Sequence, residues 1–310
     1  MSDANGTRFS VEKISFRTMD GLQLCGNLYP AAQRGPAVII NPGMGCVKEM
    51  FVPDVAQYLQ KAGITAFAYD PRNLGESEGS PRNEIDPHKQ ISDYSDALTF
   101  LKGQPIVDST QIVFWGQSFA GAAALCAAAL DHRAKAVVAV CPNLKFDRDW
   151  TRYRAALAKS MQDRESQMAG NDPYYLPILD INFESPGGMS NGVKSSEAEY
   201  MRTLKSLGAV NYENRLTVQS YYKILTWSPL SLIARLETPT LVIIPELDTL
   251  SPFEEQMAMT ESLQCPKKVH IAPGRNHMDV LTGDGFDALC QMQLDFIMES
   301  VGAEEDRSLQ

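Results

Sequence analysis

Residues 114–121 read Phe114-Trp115-Gly116-Gln117-Ser118-Phe119-Ala120-Gly121, an apolar run that ends in Gly-x-Ser-x-Ala-Gly and passes straight into an alanine-rich stretch. A serine at such a strand–turn–helix junction has its hydroxyl lifted clear of the backbone, and Gly116 and Ala120 are small because strand and helix approach closely there. The start of the following helix places free N–H groups and a positive dipole end behind Ser118. The chemistry implied is nucleophilic attack; taken alone, the motif also fits a plain helix-capping serine. A serine hydroxyl is weak at neutral pH, so it needs a base, and the base needs a carboxylate to orient it. Of the four histidines, His88 and His132 sit in polar helix-edge contexts and His270 lies inside an apolar run. His277, in Pro273-Gly274-Arg275-Asn276-His277-Met278, follows the last apolar run in a loop. Asp248 follows another, in Glu246-Leu247-Asp248-Thr249-Leu250-Ser251-Pro252. Glu246 competes for the acid role, and Asp248 is preferred because it lies further into the turn beyond Pro245. Asp279 reads as a solvated surface residue.

A tetrahedral intermediate at Ser118 needs donors for its oxyanion. The backbone N–H of Phe119, next after the nucleophile, is one. The loop Asn41-Pro42-Gly43-Met44-Gly45-Cys46 offers the other at Met44, since Gly43 and Gly45 let the backbone turn its N–H groups inward. The same glycine pair also fits a simple turn. Cys46 reads as a buried, inert thiol.

These residues must be held at one edge of a scaffold. Short, nearly all-apolar runs at 37–41, 65–70, 111–116, 136–141, 240–245 and 268–272 have the character of strands buried on both faces. Helical spacing fills 53–62, 91–102, 118–130 and 285–300. That alternation predicts a parallel sheet flanked by helices. Upstream, 11–18 and 22–28 alternate more and meet at Asp20-Gly21, a hairpin signal that predicts an antiparallel edge. The beat stops after Cys141-Pro142-Asn143 and resumes at Thr240. The intervening segment, read as an insert over 145–228, is charged and aromatic and too long for a structureless loop, so it is expected to be mostly helical. Residues 1–144 and 229–310 then form the core. The insert's Trp150, Tyr153, Tyr222 and Trp227 fit either a lining for an apolar ligand or internal packing.

Composition narrows the function classes. With 310 residues, 44% hydrophobic, the chain is long enough for a large core, and its net charge of −10 disfavours nucleic acid and anionic membranes. The most apolar stretch, 119–130, is shorter than the roughly twenty residues of a spanning helix. No leader signature is read, so a cytoplasmic protein is expected. The six cysteines lie far apart with no CxxC pair, which reads as free thiols in a reducing compartment. No metal, flavin or nicotinamide is called for: no His/Cys/carboxylate group has ligand spacing, and no Gly-x-Gly-x-x-Gly opens a helix.

The order Ser118, Asp248, His277, with the blocks Pro42–Glu49, Tyr69–Gly79 (Tyr-Asp-Pro-Arg-Asn-Leu-Gly-Glu-Ser-Glu-Gly) and Gly116–Gly121, resembles the α/β-hydrolases. Within them it resembles the dienelactone-hydrolase-like branch, and most of all fungal polyketide transferases and thiohydrolases. The resemblance covers 11–142 and 240–301, and the insert is recognised only by its position as a cap. The usual His-Gly ahead of the oxyanion loop is here Pro42-Gly43, and Ser118 stands where dienelactone hydrolases proper carry cysteine. The resemblance implies an α/β-hydrolase fold with a helical cap. It also implies an acyl substrate delivered as ester or thioester, a polyketide-type chain on an acyl carrier protein or coenzyme A among the candidates. Homodimer formation is a further expectation. The same triad also suits carbon–carbon chemistry, namely decarboxylation or chain fusion, and the fold suits a catalytically silent metabolite carrier. Arg72 and Lys48 fit a substrate carboxylate or a carrier's phosphate, and equally a solvated face or, for Arg72, an ion pair within the protein.

Overall fold

The computed structural model describes residues 10–146, 150–180, 185 and 208–302. Parts of the expected insert, residues 147–149, 181–184 and 186–207, lie outside them.

An eight-stranded sheet carries the molecule. Its strands are β1 (Glu12–Arg17), β2 (Gln23–Tyr29), β3 (Gly35–Asn41), β4 (Thr65–Tyr69), β5 (Val107–Gln117), β6 (Ala136–Val140), β9 (Thr240–Pro245) and β10 (Lys267–Ala272). They lie in the order β1-β2-β4-β3-β5-β6-β9-β10. Asp20-Gly21 does make the turn: Gly21 has φ 95°, and the Thr18 N–H donates to the Leu22 carbonyl at 2.8 Å. β2 pairs antiparallel with both β1 and β4, and all later pairings are parallel.

The apolar runs of the central strands serve two layers at once. Val38, Ile40, Val113, Trp115, Val138, Val140, Leu241 and Ile243 face one layer, built from α1 (Pro53–Lys61) and α8 (Phe286–Gly302). Their alternates Ala37, Ile39, Ile112, Phe114, Val137, Ala139, Val242 and Ile244 face α2 (Pro87–Lys102) and α3 (Phe119–Leu130). A period of two with both faces apolar is what a doubly covered sheet requires. α3 is buried from Phe119 to Ala129, and its seven alanines allow it to lie close on the strands. α2 begins four residues ahead of the periodic stretch. Asp86 caps it, accepting from the Lys89 N–H, and Pro87 opens it, while exposed His88 and Lys89 add nothing to the apolar pattern.

Between β6 and β9 the described chain forms α4 (Trp150–Met168), the short pair β7 (Tyr175–Leu176) and β8 (Leu216–Thr217), α5 (Val218–Leu225) and α6 (Pro229–Ile233). Buried polar groups join these elements. Ser160 Oγ donates to the Val218 carbonyl at 3.0 Å, and Asp163 accepts from the Tyr174 N–H and from Gln219 Nε2, both at 2.7 Å. Others tie them to the core: the Ile85 N–H donates to Ser220 Oγ at 2.9 Å, and Lys223 pairs with Glu84 at 2.8 Å. Trp227 stacks on Phe146 with ring centres 5.7 Å apart. A further helix, α7 (Phe253–Ser262), follows β9. Among the described residues no helix is long and apolar enough to cross a membrane.

Candidate active site

Ser118 lies between β5 and α3 with φ 57° and ψ −123°, a conformation that non-glycine residues rarely adopt. Its surroundings explain how it is held. A Cβ on Gly116 would run into the Ala120 carbonyl, and one on Gly121 would come within 3.3 Å of Pro142. The Ser118 N–H donates to the Val140 carbonyl at 2.8 Å, and the Asn143 N–H donates to the Ser118 carbonyl at 3.1 Å. The turn is therefore pinned to the end of the neighbouring strand.

His277, in the loop after β10, places Nε2 2.8 Å from Ser118 Oγ and Nδ1 2.8 Å from Asp248 Oδ2. Asp248, in the turn after β9, is buried; its Oδ1 accepts from the Leu250 and Ser251 N–H groups at 2.9 and 2.8 Å. The structure thus joins Ser118, His277 and Asp248 in one hydrogen-bonded chain. Glu246 lies outside that chain: it is exposed and accepts from the Gly274 N–H at 2.8 Å. Asp279, expected to be merely solvated, shapes the histidine loop by accepting from the Asn276 N–H and Nδ2 at 2.7 and 2.8 Å.

Burial works against a charged His277, but Cys141 and the Asp248 carboxylate outweigh it and hold the imidazole pKa well above the ordinary 6.5. Cys141 Sγ lies 4.0 Å from Nε2 and 3.9 Å from the His277 carbonyl oxygen. Cys141, Asp248 and His277 are also the one group of possible metal donors among the described residues. Both imidazole nitrogens, however, are engaged by Ser118 and Asp248.

The loop after β3 comes down on the serine, so close that a Cβ on Gly43 would sit 3.4 Å from Ser118 Cβ. Met44 and Phe119 both line the cavity at Ser118, and among the described residues neither N–H is given to a backbone carbonyl. For Phe119 this follows from its place at the first turn of α3. Cys46 is buried here, and burial pushes its thiol up to about 12, so it is held as the neutral thiol.

The cavity has a volume of about 100 Å³, and its apolar wall comes from Met44, Phe51, Ile178, Leu179, Leu250 and Met278. Trp150, Tyr153, Tyr222 and Trp227 are not part of that wall, which corrects the expectation that the insert's aromatics line it. Trp150 is 63% exposed and stacks on Tyr153 with ring centres 5.0 Å apart, while Trp227 is buried against Phe119 and Phe146. Trp227 thus packs onto the core, and the residues that this segment gives to the cavity wall are the aliphatic Ile178 and Leu179.

Lys48 and Arg72 are also placed differently from the ligand-contacting alternative. Lys48 is 1% exposed, and its ammonium lies 2.8 Å from each of Asp70, Glu49 and Glu76. Burial alone would lower its pKa, but Asp70 and its neighbours raise it. Arg72 is buried between Asp93 and Asp20. Both cations brace the loops behind the site. Gln256, whose side-chain amide reaches Asp248, escaped the sequence reading because α7 has little apolar periodicity. The available signal was Pro252 followed by Glu254 and Glu255, a helix start.

The chain belongs to the alpha/beta hydrolase family, whose model matches residues 37–290. Among its relatives, a thiohydrolase of Eupenicillium brefeldianum is 51% identical over 287 residues, spanning 92% of this chain and 93% of its own. A polyketide transferase of Stachybotrys chlorohalonatus is 40% identical over 287 residues, spanning 92% and 96%. The crystal structure of the alpha/beta hydrolase GrgF from Penicillium sp. sh18 superposes with a TM-score of 0.86 at 38% identity, covering 94% of this chain and 99% of that one.

Proposed function

We propose that this protein is a serine-dependent acyl hydrolase or acyltransferase that accepts a polyketide-type acyl group as an ester or thioester, carried by an acyl carrier protein or coenzyme A. The observation that carries the reading is the hydrogen-bonded chain from Ser118 Oγ through His277 to Asp248, built on a strained turn. Relatives named thiohydrolase, acyltransferase and polyketide transferase support the substrate class.

In the proposed mechanism Ser118 Oγ attacks the acyl carbon and its proton passes to His277 Nε2. The Met44 and Phe119 N–H groups receive the developing oxyanion, while Asp248 stabilises the imidazolium and fixes its orientation. Collapse breaks the bond to the leaving thiol or alcohol, which takes the proton from Nε2 and leaves an acyl-serine. Water or another nucleophile then attacks that ester, giving its proton to Nε2, and the second collapse returns the proton to Ser118. Hydrolysis and transfer differ only in this acceptor. A connected triad favours turnover over silent binding.

Ser118→Ala is expected to leave the fold intact and to lower kcat on the order of 10⁶-fold, as nucleophile loss does in other serine hydrolases. Mass spectrometry after treatment with an organophosphonate should find the adduct on Ser118. A folded variant retaining several per cent of turnover, or an adduct elsewhere, would overturn the assignment.

A further inference from the structure

We infer that Gln256 is a positioning residue, one that sets the orientation and strength of the Asp248–His277 pair through its side-chain amide. The inference rests on the proposed roles of Ser118 and His277.

Gln256 lies in the first turn of α7 and is 1% exposed. Its Nε2 donates to Asp248 Oδ2 at 3.1 Å, the same oxygen that accepts from His277 Nδ1 at 2.8 Å. The second Nε2 hydrogen goes to the Ser251 carbonyl. Among the described residues Oε1 has no partner. The amide is therefore held by its NH₂ alone, and a flipped amide would set its oxygen against both the carboxylate and the Ser251 carbonyl. With the Leu250 and Ser251 N–H groups on Oδ1, the carboxylate is gripped from both sides.

Two donors on one oxygen share its charge. The Gln256 amide thereby limits how strongly Asp248 draws the imidazolium, and stops the carboxylate rotating away from Nδ1. The titratable groups facing His277 are Asp248 and, from the end of β6, Cys141. Glu246 and Asp279, on the adjoining loops, are tied to the Gly274 N–H and to Asn276.

The test is the pH profile of kcat/KM for Gln256→Met, which keeps length but removes the donor, and for the near-isosteric Gln256→Glu. With less competition for Oδ2, the acid limb set by His277 is expected to move up by roughly half a pH unit in Gln256→Met, and further in Gln256→Glu, where a second carboxylate adds negative charge. Plateau kcat should fall about tenfold from looser alignment. In the Ser118→Ala background, the low-field proton signal of His277 Nδ1–H should shift on the same substitutions, a readout independent of turnover. Folded variants that lose rate at every pH without moving either the limb or the proton signal would make Gln256 a packing residue and overturn the inference. If the proton signal moves while Ser118→Ala proves active, the nucleophile assignment fails and the positioning role stands.

Discussion

Ile178 lies directly over Gly45: its Cδ1 is 2.5 Å from where a Cβ on that glycine would project. Gly45 has φ 69° and belongs to the loop that carries Met44, whereas Ile178 belongs to the segment between β6 and β9. The apolar wall of the cavity and the loop proposed to meet the oxyanion are thus packed against each other.

Gly45→Ala is therefore expected to strain the backbone by about 1–2 kcal/mol and to push the loop off Ile178. Misplacing one oxyanion donor costs on the order of 10²-fold in kcat. Ile178→Ala should raise KM for apolar acyl groups with a smaller change in kcat, and combining it with Gly45→Ala should restore part of the lost rate. Steady-state kinetics of the single and double variants measure both effects.

His277 accepts a proton only when neutral, so kcat/KM rises with pH through its pKa. Burial opposes the raised value, while Cys141 and Asp248 produce it, which places the acid limb above 6.5. Asp248→Asn removes the anion that favours imidazolium, so the limb should move to lower pH while kcat falls about 10⁴-fold. Glu246→Gln should change neither appreciably. A larger loss from Glu246→Gln in the pH–rate profiles would transfer the acid role.

Lys48→Met would leave the wholly buried Asp70 carboxylate without its cation, and removing one partner of a buried pair costs about 3–5 kcal/mol. Urea unfolding should register that loss. Folded variant protein is expected to keep the wild-type KM for a carrier-bound substrate, because Lys48 faces carboxylates within the protein.

A ladder of acyl thioesters probes the cavity. Its Ile178, Leu179, Leu250 and Met278 wall predicts a rise of nearly fourfold in kcat/KM per added methylene, about 0.8 kcal/mol each, until the enclosed space is filled. A flat or falling series would mean that the acyl group binds elsewhere.

The sheet and the three residues at its edge were readable because each follows its own apolar run, so one local pattern gave both the element and the side chain presented at its end. Lys48, Arg72 and Gln256 illustrate what local pattern misses. Their roles depend on partners 22, 21 and 8 residues away that meet only after folding, and nothing nearby in the chain marks a lysine or a glutamine as buried. The insert's aromatics failed as a guide for a related reason. Composition reports how much apolar surface must be covered and is silent about which face covers it, so Trp227 went to the core and Ile178 to the cavity.

Ser118 and His277 are 159 residues apart, and every residue of the β6–β9 segment separates them. During synthesis Ser118 and its turn emerge well before His277, which follows β10, the edge strand paired with β9. Such long-range parallel pairing closes late because loop entropy must be met first. A partly made chain therefore holds a serine with no base beside it, and its hydroxyl stays as sluggish as any other. On the proposed roles, activation of Ser118 therefore waits until the last strand of the sheet is seated and brings His277 within 2.8 Å of its hydroxyl.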